Sequence, residues 1–202
     1  MALLHKATIV PSKLELLARW LPGRSWGGDG AVTRVAAARF DDPAGQVGIE
    51  TLIIRAGEGA LLHVPLTYRG APLAGAEAFL IGTTEHSVLG TRWVYDAVGD
   101  PVYVAQLAET IRAAGREAPE EVESGGVRVS REPDLALRGS GAEPPAFGDV
   151  VEVTGDDPVA VRSATHELTV ARRLGASLPG ATLTGAWDGD GAPAVLAALT
   201  PR

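Results

Sequence analysis

The chain has 202 residues, no cysteine and a formal net charge of -7 at pH 7. This length suits one domain or two small ones and can bury about 70% of the unfolded surface, while the lack of cysteine excludes disulfides and thiolate metal sites. The charge disfavours nonspecific binding to nucleic acid or anionic lipid, and no apolar run reaches the roughly 20 residues that span a bilayer. With no signal-peptide pattern at the start, we predict a cytoplasmic protein without a nucleic-acid or membrane partner.

The first predicted elements are a strand over residues 3–10 and a helix after it. Ser12 and Glu15 form a capping-box pattern, in which each side chain satisfies a backbone amide of the other residue. Apolar residues follow at helical spacing: Leu14, Leu17, Ala18 and Leu21. Pro22 and Gly23 end the pattern, so we expect a short amphipathic helix followed by a glycine-rich loop.

Three strands follow, at residues 32–40, 47–55 and 60–69. The last two form a predicted hairpin across the turn at residues 56–59. Pro65 has no N–H to donate to a ladder, so we expect it at a sheet edge or a bulge.

The clearest helix belongs to the stretch of residues 85–115. Asp100 is a good N-cap, Pro101 suits the first helical position, and Gly115 suits a left-handed stop. One apolar stripe repeats at helical spacing: Val104, Leu107, Ala108 and Ile111. We therefore predict a helix with one buried face.

The remaining residues predict short strands and loops. Residues 116–125 are charged and aperiodic, which indicates a linker, and a short strand at 127–130 precedes a flexible connection at 139–145. The later strands predict a β-meander: 150–154, 159–161, 167–174, 181–187 and 194–199. The turn at 188–191 begins like a calcium loop but lacks the later glutamate, so we interpret it as a hairpin turn.

Two motifs have weak chemical meaning. Ser25 lies in a Gly-x-Ser-x-Gly pattern, but a helix precedes it and a glycine-rich loop follows, the reverse of what a hydrolase nucleophile needs. The four histidines lack the spacing of a zinc site: His5, His63, His86 and His166. Glu85 and His86 could still meet His63 across a sheet. We predict neither a metal nor a cofactor.

Three stretches read SKLELLARWLPGRSW, HVPLTYRGAPL and HSVLGTRWVYDAVGDPVYVAQLAETI. In this order they resemble the N-terminal cap region of bacterial maltokinases. That family has a helix ending near a tryptophan pair, here Trp20 and Trp26. It also has a strand reading y-x-V-P-L, here residues 63–66, and a Y-D-A-x-x-D-P segment, here residues 95–101. The resemblance covers about the first 115 residues.

The C-terminal part gives a fainter resemblance, to strands of a kinase N-lobe. It rests on LTVARRLG at residues 168–175 and on residues 185–199. The alignment places Thr169 where a kinase has its ATP-contacting lysine, and threonine cannot hold phosphates as a charged donor does. The sequence to Arg202 shows no catalytic loop and no metal-binding aspartate motif, so kinase catalytic residues are absent and we predict no kinase activity.

We predict an α+β fold with two parts. Residues 1–115 form a maltokinase-cap-like domain, in which the resemblance implies two helices packed against a curved antiparallel sheet. Residues 126–202 form a smaller β-meander that resembles part of a kinase N-lobe, and residues 116–125 link the two.

Three functions stay open. The resemblance implies a non-catalytic cap-like protein that binds or regulates partners in maltose, trehalose and α-glucan metabolism, either a carbohydrate-metabolism enzyme or a second copy of the chain. The alternatives are a small-molecule or saccharide-binding module and an unrecognised enzyme. The candidate ligand-binding residues are polar and aromatic: His63, Tyr68, Glu85, His86, Arg92 and Trp93. A partner-binding protein should expose an apolar patch, and a saccharide binder or an enzyme should have a pocket.

Overall fold

The structure, a computed structural model, describes residues 2–4, 8–124, 127–141, 146–188 and 192–202. Its helices are α1 (Lys13–Trp20) and α2 (Pro101–Arg112). Its strands are β1 (Ala2–Leu4), β2 (Ile9–Val10), β3 (Val32–Phe40), β4 (Gly48–Ala56), β5 (Leu61–Arg69), β6 (Leu80–His86), β7 (Gly90–Asp96), β8 (Glu120–Ser124), β9 (Val127–Arg131), β10 (Ala136–Gly139), β11 (Glu152–Thr154), β12 (Val159–Arg162), β13 (His166–Val170), β14 (Ala181–Ala186) and β15 (Ala194–Pro201).

Two six-stranded sheets form the frame of the molecule. The N-terminal sheet has the strand order β2-β6-β7-β5-β4-β3, with every neighbouring pair antiparallel, and it is curled. The C-terminal sheet has the order β10-β14-β15-β13-β12-β11 and is also antiparallel. A small third sheet joins β1 to β8 in parallel and β8 to β9. The predicted α+β class, with two helices and antiparallel sheets, is confirmed.

Helix α1 covers part of one face of the N-terminal sheet. The predicted capping box is present: the Glu15 N–H donates to Ser12 Oγ at 3.3 Å, and the Ser12 N–H donates to Glu15 Oε2 at 2.8 Å. Leu16 and Leu17 are buried against apolar side chains of that sheet face. Burial of these leucines fixes the helix because so short a helix is marginal on its own.

Helix α2 lies between the two sheets. Asp100 caps it as predicted, accepting the Val102 N–H at 3.0 Å, and the predicted apolar stripe is buried. The left-handed residue after the helix is Ala114, with φ 51°, so the prediction of Gly115 for that position is wrong by one residue. Gly115 instead donates its N–H to Thr110 O at 2.9 Å and closes the helix end.

The two sheets are connected along β5. The His63 N–H donates to Arg172 O at 2.7 Å, so the chain after β13 runs beside the first half of β5, while β7 pairs with its second half from Leu66 onwards. Pro65 lies between these two partners. Its strand is therefore inside the sheet, so the predicted edge position is wrong.

Other segments differ from the sequence-based expectations. Strand β8 lies within residues 116–125, so the prediction of a continuous loop there is wrong, and β10 was not predicted. Strand β15 lies between β13 and β14, so the second half is not a simple meander. The predicted connection at residues 142–145, the turn at 189–191 and His5 lie outside the described residues. The domain boundaries and the likeness to a kinase N-lobe stay predictions.

Candidate functional site

A cleft of about 480 Å³ opens beside α1, on the part of the same sheet face that the helix does not cover. Helix α1 contributes Lys13 and Leu16 to its wall, and the loop between β3 and β4 forms its rim. The cleft is large enough for a small organic ligand, since such sites are typically about 300–1,000 Å³.

Strand register places a row of polar side chains across this cleft. Arg39 on β3 pairs with Glu50 on β4, and Tyr68 on β5 pairs with Gly48, two residues before Glu50 and on the same face. Tyr68 also pairs with Val94 on β7, so Arg92 lies on that face as well. Because side chains alternate along a strand, Arg39, Glu50, Tyr68 and Arg92 all point to the cleft, and all four line it.

Glu50 is the centre of this row and is only 4% exposed. Its Oε1 accepts a hydrogen bond from Lys13 Nζ at 2.6 Å, and its Oε2 accepts one from the Tyr68 hydroxyl at 2.7 Å. Burial opposes ionisation of Glu50, but the charges of Lys13 and Arg39 and the two hydrogen bonds outweigh it and lower its pKa. The cleft therefore holds a buried carboxylate that stays charged at neutral pH.

The Tyr68 hydroxyl acts as a hydrogen-bond donor to Glu50. Burial raises the pKa of Tyr68 well above its ordinary value, and the neighbouring Glu50 carboxylate raises it further. The phenol therefore keeps its proton and holds the carboxylate in place.

The rim loop is fixed by the carboxylate of Asp42. It accepts the backbone N–H groups of Ala44, Gln46 and Val47 at 3.0, 2.8 and 2.8 Å. Burial raises the pKa of Asp42, but these hydrogen bonds more than offset that effect and lower it. This carboxylate is used to shape the cleft.

On the opposite wall, His86 ends β6 and begins the turn to β7. Its Nδ1 accepts the backbone N–H groups of Val88 and Leu89 at 3.2 and 3.1 Å. A nitrogen that accepts hydrogen bonds carries no proton, so the neutral ring is protonated at Nε2.

A protein-family model matches the segment that contains most of this cleft. Residues 20–100 match the family model of the maltokinase N-terminal cap domain. The resemblance predicted from the sequence is confirmed for this segment, which is shorter at both ends than the predicted 1–115. No curated protein matches the chain.

The segment that matches the cap model (the cap segment) includes strands β3 to β7 and all four residues of the polar row: Arg39, Glu50, Tyr68 and Arg92. Lys13 lies before it. The tryptophan pair that carried the resemblance is in contact, with the ring centroids of Trp20 and Trp26 5.5 Å apart. No helix among the described residues is long and apolar enough to cross a membrane.

The structure divides the six predicted ligand-binding residues. Tyr68, His86 and Arg92 line the cleft. His63 lies fully buried at the junction of the two sheets, where Nδ1 is 3.0 Å from Ala171 O. Glu85 is exposed and accepts a hydrogen bond from the Thr91 hydroxyl at 2.8 Å. The sixth residue, Trp93, is half-buried and does not line the cleft. Their role in ligand binding stays a prediction.

The sequence reasoning missed most of the cleft, including three charged residues that interact there: Lys13, Arg39 and Glu50. One signal could have found Glu50, since it is the single charged residue in the run of residues 47–54. A charge inside a predicted buried strand needs a partner, and that partner marks a site.

Two other features considered in the sequence analysis are the Ser25 motif and the possibility of a metal site. The Ser25 hydroxyl donates to the Asp156 carboxylate, which also accepts the Trp26 indole N–H at 3.0 Å, so Ser25 helps to join the two halves. Among the described residues, no group of three histidine, aspartate or glutamate side chains is placed to hold a metal ion.

Proposed function

We propose that this chain is a non-catalytic protein related to the maltokinase cap, and that it binds a saccharide in the cleft beside α1. It acts in maltose, trehalose or α-glucan metabolism. The observation that carries the proposal is the polar row through Glu50 at the base of a cleft that lies largely in the cap segment.

The chemistry of the cleft supports a hydroxyl-rich ligand. Sugar hydroxyls accept as well as donate hydrogen bonds, and the guanidinium groups of Arg39 and Arg92 in the cleft can donate to them. Apolar side chains stand beside them, among them Leu89 and Val94, and the ring of Tyr68 can contact the C–H groups of a sugar ring. This alternation of polar and apolar surface is typical of small-molecule sites.

The name of the matching family supports the choice of sugar, because it connects the cap segment with maltose. We further propose that the C-terminal sheet descends from kinase N-lobe strands. Thr169, on β13 between Ala160 and Ala198, would stand at the position of the ATP-contacting lysine. A threonine there supports binding without phosphoryl transfer.

Calorimetric titration with maltose, trehalose and glucose tests the proposal. We expect saturable binding of at least one sugar. The Tyr68→Phe variant should bind it about tenfold more weakly, because it lacks the hydroxyl that holds Glu50 in place. Glu58→Gln is the matched control, because Glu58 is exposed on the turn between β4 and β5, outside the cleft. Failure of these sugars and of their phosphorylated or carboxylated derivatives to bind the wild-type protein would refute this function.

A second candidate is the partner-binding role, and one observation favours it. An apolar patch at the mouth of the cleft is 40–61% exposed: Ile9 and Leu89, which also line the cleft, with Val10 and Val88 outside it. The pairing of Ile9 with His86 brings β2 next to the turn that holds Val88 and Leu89. For this role we propose an enzyme of carbohydrate metabolism as the partner, because exposed apolar patches mark interaction surfaces.

Val88→Asp separates the two candidates. This substitution should abolish co-purification of such an enzyme and leave sugar binding unchanged, since Val88 does not line the cleft. Equal recovery of the enzyme with wild-type and variant protein would exclude the patch.

A further inference from the structure

The charged side chains that line the cleft differ in how far their hydrogen-bonding capacity is used. Both oxygens of Glu50 accept hydrogen bonds, those of Asp42 accept three backbone N–H groups, and Asp41 is engaged as well. Lys13 is paired with Glu50. Few acceptors in the cleft are therefore open to a ligand.

Arg39 is only loosely engaged. Its guanidinium lies 3.7 Å from Glu50 and 4.0 Å from Glu120, both too far for a hydrogen bond. Its charge is nevertheless shared between two buried carboxyl groups, which are 4% and 6% exposed.

Arg92 has no such neighbour. Within the described residues its guanidinium makes no hydrogen bond and has no carboxylate within 4.0 Å, although it lines the cleft. It lies across the backbone of Gly70, so close that a Cβ added to Gly70 would be 2.6 Å from Nη1. Gly70 thus leaves room for this arginine at the cleft wall.

Resting on the proposed function, we infer that the ligand is a saccharide with an anionic substituent, a phosphate or a carboxylate, held chiefly by Arg92. A planar guanidinium offers paired N–H donors that match either group, and hydrogen bonds between charged partners are about twice as strong as neutral ones. Arg39 acts as the weaker second donor, because Glu50 and Glu120 already share its charge.

Calorimetric titration of the full chain with glucose, glucose 6-phosphate, glucose 1-phosphate, glucuronate and inorganic phosphate tests this inference. We expect at least one anionic sugar to bind about tenfold or more tightly than glucose. Comparison of the phosphates with glucuronate identifies the anionic group. Raising the salt concentration from about 50 to about 500 mM should weaken the binding of the anionic sugar and leave the affinity for glucose unchanged.

Variants assign the donor. Arg92→Gln should reduce the affinity for the anionic sugar to that for glucose, Arg39→Gln should reduce it less, and Arg19→Gln, at an exposed position on α1 outside the cleft, should not change it. Thermal melts of each variant serve as the control that it is folded.

The outcomes separate this inference from the proposed function. Equal affinity for glucose and every anionic sugar overturns the inference and leaves the function standing. Preference for an anionic sugar that Arg92→Gln does not change overturns the assignment to Arg92. If neither neutral nor anionic sugars bind, the proposed function is wrong as well.

Discussion

Lys13, the first residue of α1, and Glu50, near the start of β4, are joined by a contact of 2.6 Å between ammonium and carboxylate. They are 37 positions apart in the chain, and the contact fixes the start of the helix over the sheet. The ion pair therefore positions one wall of the cleft relative to its base.

Glu50→Gln should destabilise the protein at neutral pH. The substitution keeps the side-chain shape but leaves Lys13 and Arg39 without their shared counter-charge. We expect the free energy of unfolding to fall by about 2 kcal/mol at pH 7. Urea unfolding followed by circular dichroism measures the change.

The effect of Glu50→Gln should depend on pH. The pKa of Glu50 lies below its ordinary 4.5 in the folded protein, so its contribution is complete above pH 4.5 and is lost as the pH falls through the folded value. Wild type and variant should therefore converge in acid. Glu58→Gln should match the wild type at every pH, and a Glu50→Gln deficit that persists in acid would contradict the ion-pair explanation.

Asp96→Asn should have a larger effect. Asp96 Oδ2 accepts from Arg172 Nη2 at 2.6 Å between the two halves, and the Arg172 side chain is 1% exposed. Removing one partner leaves a buried charge uncompensated, which costs about 3 kcal/mol. For a chain of this length, the melting temperature should fall by about 6–12 °C.

The double variant Asp96→Leu with Arg172→Met is the informative comparison. In the described part of the chain Asp96 Oδ1 and Arg172 Nε and Nη1 have no hydrogen-bond partner, so the pair is incompletely satisfied. Methionine can keep contact with Trp26, over which the guanidinium lies at 4.9 Å. We expect the double variant to be more stable than Asp96→Asn, and a lower stability would show that the ion pair itself is required.

His63 should make stability depend on pH between 4 and 6.5. Burial lowers the pKa of His63 to about 4 from 6.5, because the charged ring would lose its hydration. The unfolded chain therefore binds more protons in this range, and the contribution of His63, complete above pH 6.5, declines as the pH falls toward 4. The full loss is roughly 3 kcal/mol.

His63→Asn removes this titration and retains a donor near Nδ1, which donates to Ala171 O at 3.0 Å in the native protein. Urea unfolding from pH 4 to 7.5 should show a shallower slope for the variant. His166→Asn is the control, because His166 lies at the start of β13, five residues before Ala171. Equal slopes for His63→Asn and wild type would contradict the assignment.

Local signals in the sequence predict much of the fold. The cap at Ser12, the cap at Asp100 and the stripe on α2 depend on neighbours within a few residues, and all three are confirmed. The position of β15 between β13 and β14 depends on pairings that carry no local signal. Strand β8 is similar: its glutamates favour a solvated loop, and only pairing with β1 and β9 makes it a strand.

The cleft shows the same limit. Tyr68, His86 and Arg92 could be selected as polar or aromatic residues near one another in the sequence. Glu50 contacts residues 18 and 37 positions away, so its site exists only after the sheet and α1 come together. By residue type His63 is a candidate ligand residue, but alternation along β5 turns its side chain to the face opposite Tyr68, into the junction with residues 171–172.

Gly139→Ala should separate β10 from α2. A Cβ added at Gly139 would lie 2.1 Å from Thr110 O and 2.9 Å from Ile111 Cα, and backbone atoms of a helix cannot move aside as a flexible side chain can. We expect a loss of about 2–3 kcal/mol in unfolding free energy, seen as a lower melting temperature. Gly23→Ala is the matched control, because nothing lies within 4 Å of its added Cβ, and it should leave the melting temperature unchanged apart from a small propensity effect. Equal melting temperatures for the two variants would contradict direct packing of β10 on α2.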